Sequence, residues 1–188
     1  MRKKILIALA IVLLLFVGLL GFIASRPSQF RIERSATIAA PPEQVFGHVN
    51  NLQQWNAWSP WAKKDPNAKA TFEGPEEGEG AIFRWAGNDE IGEGAMTITQ
   101  SKPAELVVLK LEFKKPFEDT SMAQFKFTPE GENTVVTWSM EGQCNFVSKA
   151  VQLFLDMDKM LGADFEAGLA NMKKVVEESP KSESTKAE

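Results

Sequence analysis

The chain has 188 residues, 44% hydrophobic and 24% charged, with 10 Pro and 13 Gly, the composition of one globular domain rather than of a disordered or collagenous chain. Arg2, Lys3 and Lys4 contribute +3 to a formal net charge of −4, leaving −7 for the rest, and an acidic domain offers phosphates no basic face, so nucleic acid is not an expected partner. One His (His48), one Cys (Cys144) and no Tyr exclude a zinc site of several His and Cys, a His-Glu-x-x-His helix, a Cys-x-x-Cys pair and an intrachain disulfide, and no metal or cofactor is expected.

Ile5 to Ala24 is an uncharged run of 20 residues, 18 of them apolar with Gly18 and Gly21. At about 1.5 Å of rise per residue it spans roughly 30 Å, the hydrocarbon thickness of a bilayer. A cleaved secretory signal has a shorter apolar region and a small-x-small cleavage site, whereas a cut after Ala24 would have bulky Phe22 two positions earlier. The run therefore reads as a retained membrane anchor in preference to a signal. The cluster Arg2, Lys3, Lys4 before it favours a cytoplasmic N-terminus with the domain on the outer, periplasmic or extracellular side, although Arg26, Arg31 and Arg34 follow within the same range.

Residues 25–29 form a linker. From Phe30 to Ala39 the apolar positions Phe30, Ile32, Ala36 and Ile38 alternate with polar ones, which predicts a strand. Pro42 and Glu43 then suit the first turn of a short helix carrying Val45, Val49 and Leu52. Six further strands are predicted at Lys69–Glu73, Ala81–Ala86, Gly92–Ser101, Glu105–Lys115, Thr120–Thr128 and Thr134–Gly142, separated by Gly- and Pro-rich turns too short to join anything but antiparallel neighbours. Phe146 to Glu178 holds no Pro, and Phe154, Met157, Leu161, Phe165, Leu169, Met172 and Val176 recur at helical spacing, which predicts one long amphipathic helix. Gly162 and Gly168 inside it require close packing or a bend. The polar tail 179–188 is expected to be disordered.

Strand, short helices, six strands and a long helix make an α+β order in which the antiparallel sheet has to bury its apolar face against the last helix. The chain here resembles a known family, the START-like helix-grip superfamily (SRPBCC), of the bacterial polyketide cyclase/dehydrase and lipid-transport type. The likeness rests on Ile38-Ala-Ala-Pro-Pro-Glu-Gln-Val-Phe46, on Asn51-Leu-Gln-Gln-Trp55-Asn-Ala-Trp58-Ser-Pro-Trp61, on Phe83-Arg-Trp85-Ala-Gly-Asn88 running to Gly92-Glu-Gly94-Ala-Met96, and on the final helix. It implies a strongly curved antiparallel sheet of about seven strands wrapped round that helix, with two short helices after strand 1; the transmembrane helix expected from Ile5–Ala24 lies outside the domain. The domain would occupy 30–178, with 1–24 as cytoplasmic tip and anchor.

Members of that family bind lipids, sterols or polyketides between sheet and helix, and a minority catalyse reactions there. The resemblance therefore implies a domain that takes a hydrophobic small molecule or lipid, and the run Ile5–Ala24 would tether it to a membrane. A cavity-less protein-interaction module and a cyclase/dehydrase-type enzyme are the alternatives, since one fold hosts many functions. The residues expected along the interior are Trp58, Trp61, Trp85, Met96, Ile98, Phe113, Phe125, Trp138 and Met140, with Met157, Leu161 and Phe165 of the helix; each also reads as ordinary core. Trp55, Trp58 and Trp61 are either a plug between the short helices and the sheet or a wall of the cavity mouth. His48 lacks a visible partner for acid–base work, Arg84 and Glu93 are placed to pair across a hairpin, Asp156 and Asp158 read as solvated charges, and Cys144 as a small buried side chain. No catalytic residue is assigned.

Overall fold

The computed structural model describes residues 2–179; of the tail expected to be disordered, all but Ser179 lies outside the described residues. The elements are α1 (Arg2–Ser25), β1 (Gln29–Ile38), α2 (Pro42–Asn50), α3 (Trp55–Trp58) between 3-10 turns at Leu52–Gln54 and Pro60–Lys63, β2 (Lys69–Glu73), β3 (Ile82–Ala86), β4 (Glu93–Lys102), β5 (Leu106–Lys115), β6 (Asp119–Glu130), β7 (Asn133–Gln143), α4 (Phe146–Val151) and α5 (Met157–Glu178). All seven strands form one sheet in the order β1-β7-β6-β5-β4-β3-β2, the α+β helix-grip arrangement expected from the sequence. The chain divides into two compact units. One joins the chain up to Phe30 to Gln143–Met157; the other holds Arg31–Gly142 and the chain from Asp158 onward.

In the larger unit, period-two alternation sets the two faces of the sheet. The register aligns Phe72, Phe83, Met96 and Leu111 in one row across β2 to β5, and Leu109, Ala123 and Met140 in another across β5 to β7. The face carrying these side chains also carries Ile32 and Ile38 of β1, both at 2% exposure or less, and it is the face that α5 covers. β6 extends past the predicted stop at Pro129, which pairs with Thr134 above a tight turn at Gly131 and Glu132. Phe127 already donates its N–H towards the β5 side, to Glu105. Two residues on, Pro129 faces the same side beyond the start of β5, so its missing donor leaves no bond unmade.

Helix α5 is held along β1 by a ladder of polar contacts. Arg34 donates to both carboxylate oxygens of Asp158 at 3.1 and 3.0 Å and to Glu166 at 2.8 Å. Lys173 Nζ donates to the Thr37 carbonyl at 3.0 Å, and the Ala39 N–H to Glu177 at 2.8 Å. Asp158 is thus an anchoring partner rather than a free solvated charge, and Arg34 holds its carboxyl below the usual range. Both glycines of α5 serve close packing. A Cβ at Gly162 would collide with the Arg34 guanidinium, and one at Gly168 would lie 2.8 Å from the Trp138 ring and 3.1 Å from Pro60 Cδ.

Three sequence expectations need correction. The single helix predicted over Phe146–Glu178 is two helices: the chain leaves helical register after Val151, closes turn bonds from Leu153 to Ala150 and from Phe154 and Leu155 to Val151, and restarts at Met157. Phe154, expected on the buried stripe, is 88% exposed in that turn. Arg84 and Glu93 do not pair, because Ala86 stands opposite Glu93 and Arg84 opposite Ala95. Arg84 instead binds Glu73 at 2.8 Å, and Glu93 binds Lys115 at 3.1 Å.

The two kinds of helical glycine give a direct contrast. Gly47 in α2 has nothing within 4 Å of a built Cβ, so Gly47→Ala should stabilise the protein by about 0.5–1 kcal/mol through reduced backbone entropy of the unfolded chain. Gly168→Ala should destabilise it by about 1–3 kcal/mol, because overpacking against Trp138 and Pro60 outweighs the gain in helix propensity. Denaturant unfolding of the full-length variants in one detergent reads both signs.

Candidate functional site

The inner face of the sheet in the larger unit is divided between a filled half and an open half. The filled half begins with the Trp-rich segment after α2. The Asn51 side chain accepts from the Gln53 N–H and caps the first 3-10 turn, and α3 makes a single turn before Ser59 and Pro60 end it. Trp55 and Trp58 therefore emerge beside one another, and their indole N–H groups donate to the backbone carbonyls of Val49 at 2.9 Å and His48 at 3.0 Å. Trp55, Trp58 and Trp61 all present edges or faces to Trp138 of β7, with centroids 6.3, 5.8 and 5.7 Å away. Trp138 stacks on Phe125 at 4.8 Å and almost parallel to Phe165 of α5 at 4.1 Å and 3°. Trp58, Phe125, Trp138 and Phe165 are each at most 2% exposed. This half is a solid aromatic core.

The open half lies on β2 to β5. Phe72 packs on Phe83 at 5.2 Å, Phe83 on Trp85 at 6.0 Å, and Trp85 on Phe113 at 5.9 Å, making a continuous aromatic row across four strands. Trp85 is pinned by donation from its indole N–H to the Ile91 carbonyl at 3.0 Å. It lies flat across β4 because Gly94 stands directly opposite it; a Cβ there would meet the Trp85 ring and come 2.7 Å from the Glu112 carbonyl oxygen. Phe72 keeps 40% of its surface exposed, and Phe83, Trp85, Leu111 and Phe113 are half-buried. Next to this row is a half-open cleft of about 380 Å³, bordered by Leu52, Phe72 and Ile82 and by the polar side chains of Gln53, Glu73 and Glu76. That volume is within the range of small-molecule sites. None of the residues expected to line an interior site borders it; Phe72 belongs to both the cleft and the row.

The expected site residues thus separate by location. Trp58, Met96, Ile98, Phe125, Trp138, Met140 and Phe165 are buried, whereas Trp61, Trp85, Phe113 and Leu161 are half-buried. Met157 is the half-buried first residue of α5 and falls in the smaller unit. Phe72 and Phe83 were not among the expectations. Their signal was available: Phe83 precedes Trp85 by two residues, so the two share a strand face, and Phe72 alternates on the strand before.

Among the described residues, the buried side-chain atoms Trp138 Nε1 and His48 Nδ1 have no hydrogen-bond partner. The indole N–H of Trp138 is a donor inside an apolar core, where an unmade bond costs about 1–3 kcal/mol. His48 has no orienting partner at Nδ1, and burial lowers its pKa, which leaves it neutral and poorly suited to paired acid–base work. Among the described residues no three His, Cys, Asp or Glu side chains are grouped as a metal ion requires.

A model of the polyketide cyclase/dehydrase and lipid-transport family matches residues 29–177. No curated protein matches the chain. Among solved structures, it is similar to protein CV1439 from Chromobacterium violaceum, with 12% identity and a TM-score of 0.56 over 81% of this chain and 100% of that one. It is similar to the Aha1 dimer from Colwellia psychrerythraea, with 14% identity and a TM-score of 0.57 over 79% and 97%. It is also similar to BexL, a di-domain ARO/CYC protein of the BE-7585A biosynthetic pathway, with 15% identity and a TM-score of 0.59 over 84% of this chain and 53% of that one. At such identities these likenesses concern the fold.

The depressed His48 pKa has a consequence for stability. The unfolded chain takes up the imidazole proton before the folded one as pH falls through about 6.5, so unfolding becomes more favourable towards acid. Melting temperature should fall between pH 7.5 and 5.5, and His48→Gln should flatten this slope; thermal melts of both proteins across that range check it.

Proposed function

Because the chain belongs to the polyketide cyclase/dehydrase and lipid-transport family, a branch of the START-like helix-grip superfamily, we propose that it binds a hydrophobic small molecule or lipid on the open half of its inner sheet face while α1 tethers it to a membrane. The observation that carries this reading is the unfilled aromatic row Phe72, Phe83, Trp85 and Phe113 beside a 380 Å³ cleft. Water-exposed aromatic rings held rigidly in a row cost free energy unless something apolar covers them.

In this reading Trp85 and Phe113 are the main contact rings, with Phe72 leading into the cleft. Trp61, Leu161 and Met140 border the approach from the filled half. Trp58, Met96, Ile98, Phe125, Trp138 and Phe165 form the deep wall that holds the contact rings in place.

α1 is a helix long and apolar enough, by length and composition, to cross a membrane. With Arg2, Lys3 and Lys4 at its start it would place the N-terminus in the cytoplasm and the domain outside. Intact-mass measurement on the membrane-extracted protein should find α1 still attached; a chain beginning near Ser25 would replace the anchor by a cleaved signal.

Native mass spectrometry of the full-length protein released from lipid nanodiscs should show a retained small apolar adduct. Trp85→Ala and Phe113→Ala should each reduce the adduct-bearing fraction about tenfold or more, corresponding to about 1.4 kcal/mol or more of lost contact, in variants that still unfold in one cooperative thermal transition. An adduct-free parent protein would leave the cavity-less interaction module as the better description.

A further inference from the structure

In the smaller unit, α4 has its polarity inverted for a helix in water. Lys149 is buried at 8% exposure, while Phe146, Val147 and Val151 are 47%, 64% and 42% exposed. The turn that follows adds Phe154 at 88% and Leu155 at 46%. A short amphipathic helix in water normally buries the apolar face and exposes the lysine. The sequence ensures the helix forms where it does: Asn145 caps it, its side-chain oxygen accepting from the Ser148 N–H at 2.8 Å and the Ser148 hydroxyl at 3.0 Å.

The burial of Lys149 is explained by the end of α1. Its ammonium donates to the Ser28 hydroxyl at 2.9 Å and approaches the Ala24 carbonyl, in the last turn of α1, at 3.4 Å, where a cation is favoured by the exposed carbonyls of a helix C-terminus. The Cys144 N–H donates to the Ser28 carbonyl at 2.8 Å, and Gln152 donates to Cys144 Sγ at 3.0 Å. Ile23 is 6% exposed, whereas its neighbours Leu19, Leu20 and Phe22 in α1 are 47%, 37% and 53% exposed. These contacts fasten α4 and its following turn to the last turn of α1. If α1 crosses the bilayer, its last turn is at the headgroup level, and whatever is fastened there is at that level too.

We propose that α4 and the turn Gln152–Asp156 form a membrane-interface surface, with Phe146, Val147, Val151, Phe154 and Leu155 inserted among the acyl chains next to α1. The occupant is the lipid bilayer that surrounds α1. Aromatic and aliphatic side chains on a surface element at the headgroup boundary gain burial there without a protein partner. The inference rests on the reading of α1 as a membrane-spanning anchor and adds to it a second point of contact, which turns a flexible tether into a fixed attachment of this unit.

The test uses the full-length protein with Cys144→Ser, reconstituted in phosphatidylcholine/phosphatidylglycerol vesicles and spin-labelled singly at Phe154→Cys, Val147→Cys or Leu14→Cys. Power saturation compares collisions with oxygen, which concentrates in the hydrocarbon, and with a water-soluble nickel chelate. Oxygen-dominated collisions at positions 147 and 154 support the proposal. Chelate-dominated collisions at both, with position 14 in the hydrocarbon, overturn it while the anchor reading stands. Chelate-dominated collisions at position 14 overturn the anchor reading; labels at 147 and 154 that are then also in water overturn the proposal with it, and labels in lipid support the surface independently of the anchor.

Discussion

The larger unit depends on how closely α5 can approach β7. Phe165 lies face to face with Trp138 at 4.1 Å, a separation that sets the helix directly on the sheet and leaves no room for a side chain at Gly168. Everything near that contact is forced into place by it. Pro60 is wedged against the same turn of the helix, the Asn171 side chain donates to the Trp58 carbonyl at 3.2 Å, and the Trp-rich segment closes over the other side of Trp138. At the near end of α5 the same logic recurs, with Gly162 making room for the Arg34 guanidinium so that β1 and the helix are joined by charge-assisted bonds. The ion pairs there are largely exposed and add modest stability; what they contribute is direction, fixing which way the helix runs along β1.

Committing α5 to β7 and β1 has an opposite effect on the far strands. A helix lying over β1, β6 and β7 gives the inner faces of β2 and β3 much less cover, and those strands nevertheless carry large apolar rings. Phe72, Phe83, Trp85 and Phe113 are ordered by one another, by the Trp85 bond to Ile91 and by the flat seat that Gly94 provides. An ordered, half-exposed aromatic surface is pre-organised for an apolar ligand, since no side-chain rearrangement has to be made on binding. The proposed ligand surface and the packing of α5 are linked in this sense, because the strands that the helix does not cover are the ones that carry the open row.

The strands were legible in the sequence because their signal is local. Alternation in Phe30–Ala39, in Val107–Phe113 and in Val136–Met140 needs only neighbouring residues to be read, and the turns carry Gly, Pro and Asn. The glycines of α5 were legible as a constraint but not in their cause, because Arg34 and Trp138 are distant in the chain. The break after Val151 was not legible at all. Val147, Val151, Phe154 and Met157 continue the spacing of three and four, and a period shared by two helices hides the turn between them. Among the site residues, Trp85 and Phe113 stood out by their strands, whereas Phe72 and Phe83 were passed over although they lie on the same face. A single-strand reading identifies faces, and it takes the register from β2 to β5 to show that four rings from three strands form one row.

Periodicity also reports that apolar residues share a side of a helix without reporting what that side meets. In α5 the stripe Phe165, Leu169, Met172 and Val176 meets the sheet and is buried to 1% or less. In α4 the same kind of stripe points outward, and the residue turned inward is Lys149, drawn there by the Ser28 hydroxyl and the carbonyl end of α1. Under the proposed membrane-interface surface, the difference is one of solvent. A buried lysine with satisfied bonds and an exposed row of Phe, Val and Leu is the expected arrangement where the medium outside is hydrocarbon and the polar groups are beside the anchor. Two helices a few residues apart with the same pattern and opposite burial therefore locate a change of surroundings along the chain, between a sheet that α5 must cover and a surface that α4 is left to present.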